Sequence, residues 1–65
     1  MPDLVDVEVA NNGSFFTFLP ITPRAIEWFD KNTPDATRYN NSIAVDHRYA
    51  RDIADALVNE GMVLR

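Results

Sequence analysis

Apolar and polar residues alternate most sharply near the start of the chain, where Val5, Val7 and Val9 are separated by Asp6 and Glu8. A period of two belongs to a strand with one buried face. Phe16 and Phe18 repeat the spacing beyond Asn12-Gly13, a dipeptide suited to a two-residue type I′ turn because both central positions need positive φ. The pattern predicts a β-hairpin in which Asn11 pairs with Ser14, Val9 faces Phe16, Val7 faces Phe18 and Asp6 faces Leu19. Val5, Val7, Val9, Phe16 and Phe18 then form the core side. The other face mixes Asp6, Glu8 and Thr17 with Ala10, Phe15 and Leu19.

Pro20 has no N–H to give to a ladder and closes the second strand, after which Thr22 reads as an N-cap and Pro23 as the first helical residue. A short helix follows to about Lys31, with Ala25, Ile26, Trp28 and Phe29 as its apolar stripe and Glu27 and Lys31 spaced as an i,i+4 pair. Asn32-Thr33-Pro34-Asp35 stops it. Asn40-Asn41 between Thr37-Arg38-Tyr39 and Ser42-Ile43-Ala44-Val45 predicts a second, shorter hairpin. Asp46 then caps the longest helix, about His47 to Glu60, in which Tyr49, Ile53 and Leu57 recur beside Ala50, Ala54 and Val58. Gly61 suits a left-handed closing residue, and Met62-Val63-Leu64 leaves room for a short terminal strand. The fold class expected from this order is α+β: a two-layer sandwich, a mostly antiparallel sheet with both helices on one face, in a single domain over residues 1–65.

Composition narrows the chemistry. The chain has 65 residues, and so short a domain buries only about 60% of its surface on folding, so its four Phe, one Trp and two Tyr carry much of the core. The absence of cysteine removes any disulfide framework or thiolate metal site, and a single histidine cannot form an imidazole cluster. No metal and no cofactor are expected. Met1-Pro2-Asp3 begins acidic rather than basic, unlike a secretory leader, and no apolar run approaches the ~20 residues of a membrane span. These features give the expectation of a complete, short cytoplasmic chain, monomeric or weakly dimeric. A net charge of −4 disfavours phosphate backbones and anionic membranes and favours a basic partner.

Candidate chemistry is sparse. His47 beside Asp46 invites an acid/base reading, but no nucleophile stands in a motif that would complete it, and capping explains the aspartate. Asp52 and Asp55 have the ordinary spacing of solvated helix charges. They stand four residues from Arg48 and Arg51, forming two expected surface pairs. The last helix carries its cations in the first half and Asp52, Asp55 and Glu60 in the second, against the helix dipole, a polarity that a partner can read. Phe15, Tyr39, Arg38, Arg48 and Arg51 supply an alternative, a local aromatic and arginine patch for a nucleic-acid strand, which the net charge opposes.

The set Asn12-Gly13-Ser14, Pro20, Thr22, Ala25, Trp28, Ile43-Ala44-Val45 with a following acid, Arg48-Tyr49, Ile53 and Gly61 resembles a group of short, stand-alone, uncharacterised bacterial proteins often carried by phages and mobile elements. Those positions are turn, cap, core and helix-closing landmarks, and Asn40-Asn41 stands where that group's second turn has a glycine pair. In size, charge and style the chain also resembles the anti-CRISPR class of inhibitors. That likeness implies a non-enzymatic binding protein that occupies the basic surface of a nucleic-acid-binding partner. The contacts expected for such docking are Asp6, Glu8, Asp30, Asp52, Asp55 and Glu60, with Phe15 and Leu19 as an apolar patch on the outer hairpin face.

Overall fold

A computed structural model describes residues 4–65, with the backbone alone at Tyr39; the expectations attached to Met1, Pro2 and Asp3 lie outside the described residues. The elements run β1 (Val7–Asn11), β2 (Phe15–Pro20), α1 (Pro23–Asn32), β3 (Thr37–Tyr39), β4 (Ser42–Asp46) and α2 (His47–Asn59). The four strands form one antiparallel sheet in the order β1-β2-β4-β3. After α2 the chain runs beside β1 in the parallel sense, bridging Val7 to Leu64. The Val9 N–H donates to the Arg65 carbonyl at 2.8 Å and the Arg65 N–H to the Val7 carbonyl at 3.0 Å. The expected terminal strand is thus a single parallel bridge on the edge of β1.

Both helices cover the same sheet face, as the pattern predicted. Val7, Phe18, Ile43 and Val45 from the strands meet Ala25 and Phe29 of α1, Ala50 and Leu57 of α2, and Met62, all buried in one cluster. Phe18 and Phe29 pack with ring centroids 5.9 Å apart. That tilted contact joins the central strand to α1.

The first hairpin has the predicted faces in a different register. Val9 lies opposite Phe18 and Val7 opposite Pro20, a shift of two residues from a turn centred on Asn12-Gly13. Gly13 takes φ +93°, while Asn12 does not enter the positive-φ region that type I′ demands of it. Instead the Asn11 side-chain oxygen accepts from the Gly13 N–H at 2.9 Å, and the Asn12 N–H donates to the Phe15 carbonyl at 2.9 Å. This centres the turn on Gly13-Ser14. A slip of two leaves every side chain on its expected face, because the strand period is two. Pro20 closes β2 beyond Phe18, the last residue paired with β4, so its missing N–H costs that ladder nothing. In the second hairpin Asn40 takes the left-handed φ of +54°.

The helix ends follow the sequence closely. The Thr22 hydroxyl accepts from the Ala25 N–H and caps α1, while Asp46 accepts from the Arg48 N–H at 2.9 Å and caps α2. At the far end of α2 the Met62 N–H donates to the Leu57 carbonyl and the Gly61 N–H to the Val58 carbonyl, with Gly61 at φ +83°. This is a Schellman closure, and Leu57 and Met62 supply its buried apolar contact. An added Cβ at Gly61 would meet no atom within 4 Å, so its backbone conformation alone sets the cost of a side chain there. Gly61→Ala is expected to lower stability by about 1–2 kcal/mol, measured by chemical denaturation.

Candidate functional site

The residues expected at a partner surface separate into five places, four on the surface and one, that of Asp6, buried. Glu8, Phe15 and Leu19 lie on the sheet face away from the helices. Leu19 is opposite Glu8 on β1, and Phe15 is opposite Asp46 on β4, so each large apolar side chain has an acidic cross-strand neighbour. Both apolar residues are half-buried rather than fully projecting. Shallow clefts of about 360 and 390 Å³ adjoin them, one against Thr37 and Ala44 and the other against Ala10 and Thr17. Asp52 and Asp55 are exposed on the outer side of α2, as expected. Asp30, on α1, is held by Arg38 of β3 at 2.8 Å. Glu60 caps the end of α2 and faces α1 across a cleft.

Asp6 is a correction. Expected beside Glu8 on the outer hairpin face, it is instead 2% exposed, the one buried charged residue among those described. The strand alternation begins only at Val7, and Asp6 precedes it where the start of β1, the link into α1 and the C-terminal segment converge. Its carboxylate accepts two hydrogen bonds from the Arg24 guanidinium, at 3.0 and 2.8 Å, one from the Thr22 hydroxyl, and one from the Val63 N–H at 2.9 Å. The Arg24 bonds, then those from Thr22 and Val63, hold this carboxyl well below the usual aspartate range, against the opposing pull of burial. Asp6 in turn raises the pKa of Arg24. Its charge is matched inside the protein and is not available to a basic partner.

Arg24 extends this network. Its Nη2 also donates to the Gly61 carbonyl at 3.1 Å, tying the turn after α2 to the side of α1. Arg24, Glu27, Trp28 and Lys31 fall at i, i+3, i+4 and i+7 and form one ridge of α1. Between that ridge and Glu60 and Met62 lies a cleft of about 710 Å³. Trp28, expected wholly in the core, is half-buried there, with its ring edge-on to Phe29 at 5.1 Å. The sequence reading missed this cleft. Its only signal was the i, i+3, i+4, i+7 spacing of two cations, one carboxylate and one tryptophan, which by itself describes any amphipathic helix.

The helix ion pairs also differ from expectation. Arg48 turns back to its own cap, Asp46, at 3.2 Å, instead of reaching Asp52, and its guanidinium carbon lies 5.5 Å from the Tyr49 ring centroid. The Arg48 backbone N–H and then its side chain lower the Asp46 pKa. Among the described residues neither Arg51–Asp55 nor Glu27–Lys31 closes into an ion pair. A cap two residues away needs less side-chain ordering than a partner on the next turn. Of the arginines proposed for a nucleic-acid patch, Arg38 and Arg48 are therefore held by carboxylates, leaving Arg51; the Tyr39 side chain lies outside the described residues. Among the described residues no three His, Asp or Glu side chains are grouped as metal ligands, and no helix is long and apolar enough to cross a membrane.

Comparison with protein-family models, with curated proteins and with solved structures finds no match.

Proposed function

We propose that this protein is a non-enzymatic binding protein that docks an acidic surface onto a basic partner. The observation that carries the reading is the balance of charge left after internal pairing. Among the described residues the carboxylates of Glu8, Glu27, Asp35, Asp52, Asp55 and Glu60 have no ion-pair partner, against Lys31, Arg51 and Arg65 on the cationic side. Unpaired surface carboxylates in excess create a negative field that speeds encounter with a cationic surface and orients it. The resemblance to phage-borne proteins and to the anti-CRISPR class supports an inhibitor of this kind, acting in the cytoplasm by covering a surface that otherwise holds nucleic acid.

The test is recovery of the partner from phage-infected host cells at low and at high salt, followed by nucleic-acid binding by that partner with and without the protein. A basic protein retained at low salt, released as ionic strength rises, and displaced from its nucleic acid is the expected result. Recovery of no protein partner at low salt, or of one whose nucleic-acid binding is unchanged, overturns the reading. Replacing both Asp52 and Asp55 with lysine is expected to slow association by about ten-fold or more at low salt, since steering acts mainly on the on-rate. Surface-plasmon kinetics against the recovered partner measure it.

A further inference from the structure

We infer that the cleft between α1 and the turn after α2 receives an arginine side chain of the basic partner, an inference that rests on the docking reading above and gives it a site. Three features of the cleft converge on a guanidinium. Glu27 on one wall and Glu60 on the other are both unpaired among the described residues and stand on opposite sides of an open cleft of about 710 Å³. Trp28 lines the space between them and, being half-buried, is exposed enough to meet a ligand. Tryptophan is the best aromatic partner for a cation, and a planar guanidinium stacks on it while directing N–H groups to carboxylates at its edges.

The walls are held in place before any ligand arrives. The buried Asp6 carboxylate holds the Arg24 guanidinium, and Arg24 holds the Gly61 carbonyl next to Glu60, so the two walls that carry the glutamates are tethered to each other. Preorganised walls reduce the ordering cost of binding. Arg24 contributes little repulsion, because Asp6 matches its charge at 2.8 Å. Among the described residues Lys31 is the one cation on the cleft without an ion-pair partner, and it stands at the end of the ridge beyond Trp28. It opposes a cationic ligand and is the natural brake on affinity.

The chain has one tryptophan, so intrinsic fluorescence reports on the cleft directly. Capped hexa-arginine and hexa-lysine peptides, titrated at low salt, are the probes, with calorimetry run in parallel. The expected result is a saturable change in Trp28 emission with hexa-arginine and a smaller one with hexa-lysine. Affinity for hexa-arginine is expected to fall about ten-fold when Glu27 and Glu60 are both replaced by glutamine, and to rise a few-fold in Lys31→Gln. The variant with Asp52→Asn and Asp55→Asn loses the same charge elsewhere and is expected to change affinity much less. Circular dichroism confirms that each variant is folded. Calorimetric binding with unchanged Trp28 emission, or equal losses in the two charge-matched variants, overturns the cleft assignment and leaves general acidic docking standing. Absence of any calorimetric binding to either peptide overturns both.

Discussion

Asp6→Ala is expected to lower the melting temperature by more than ~10 °C, a loss larger than for any other single charge among the described residues. The carboxylate is buried and accepts hydrogen bonds from residues 16, 18 and 57 positions away in sequence. Its removal strands the Val63 N–H and frees the Arg24 guanidinium, so the start of β1, the N-terminus of α1 and the C-terminal segment lose their shared anchor together. The Thr22 hydroxyl also loses its acceptor, which loosens the cap it provides for α1. The loss of the acceptor shared by these part-buried donors dominates this cost, more than the attraction between the two charges.

The same group sets an acid limb. A carboxyl whose pKa is depressed on folding stabilises the native state above the unfolded-state value, and that contribution disappears as pH falls toward the folded-state value. For Asp6 the stabilisation is therefore complete above about pH 5 and declines progressively below about pH 4, the usual range of an unfolded aspartate. Asp46 acts in the same direction from an exposed position, with a smaller share. Thermal melts between pH 2 and pH 7 are expected to show a plateau followed by a fall. In Asp6→Asn the plateau should be lower and the fall shallower. An equally steep fall in Asp6→Asn would assign the acid limb to other carboxylates.

Most of the fold was legible because it is governed by local rules. Thr22-Pro23, Asp46 and Gly61 announce helix ends through capping chemistry that needs no tertiary information. The two-residue alternation of Val7, Val9, Phe16 and Phe18 assigned the core face even though the turn was centred one residue away from its expected place. The misreading of Asn12-Gly13 has a local cause. Asn11 competes as a side-chain acceptor for the Gly13 N–H, and Gly13 alone then supplies the positive φ the turn requires.

What was hidden depends on contacts between distant segments. Asp6 looks in sequence like one more polar residue in an alternating strand, and nothing near it announces that Thr22, Arg24 and Val63 will surround it. The cleft is hidden for the same reason. Glu60 reads as the solvated end of one helix and Glu27 as the solvated side of another, and their walls are brought together by long-range contacts, the Arg24–Gly61 hydrogen bond and the core shared by Phe29, Leu57 and Met62. Local pattern thus gave the sheet face of Glu8, Phe15 and Leu19 and the exposed side of α2 for Asp52 and Asp55, while the charge that had been grouped with Glu8 is the one the fold uses internally.

Phe18→Ala is expected to leave the protein unfolded, or nearly so, at 37 °C. Phe18 is 1% exposed on the central strand β2, against Phe29 and among Val7, Ile43 and Leu57. Truncating such a phenylalanine costs about 3–5 kcal/mol, because the cavity adds to the lost transfer free energy. A domain of this size has a total stability of roughly 3–10 kcal/mol, so little or nothing remains. Phe15, three residues earlier on β2, is half-buried on the opposite face and sits beside Asp46 rather than under a helix. Phe15→Ser is expected to keep a cooperative melt, with a clearly smaller loss of stability than Phe18→Ala, and to weaken capture of the basic partner if the outer sheet face is part of the docking surface. Circular dichroism melts of the two variants side by side, together with partner retention by Phe15→Ser at low salt, separate the roles of the two faces. Equal unfolding in both variants would make Phe15 a core residue and remove the outer sheet face from the docking surface.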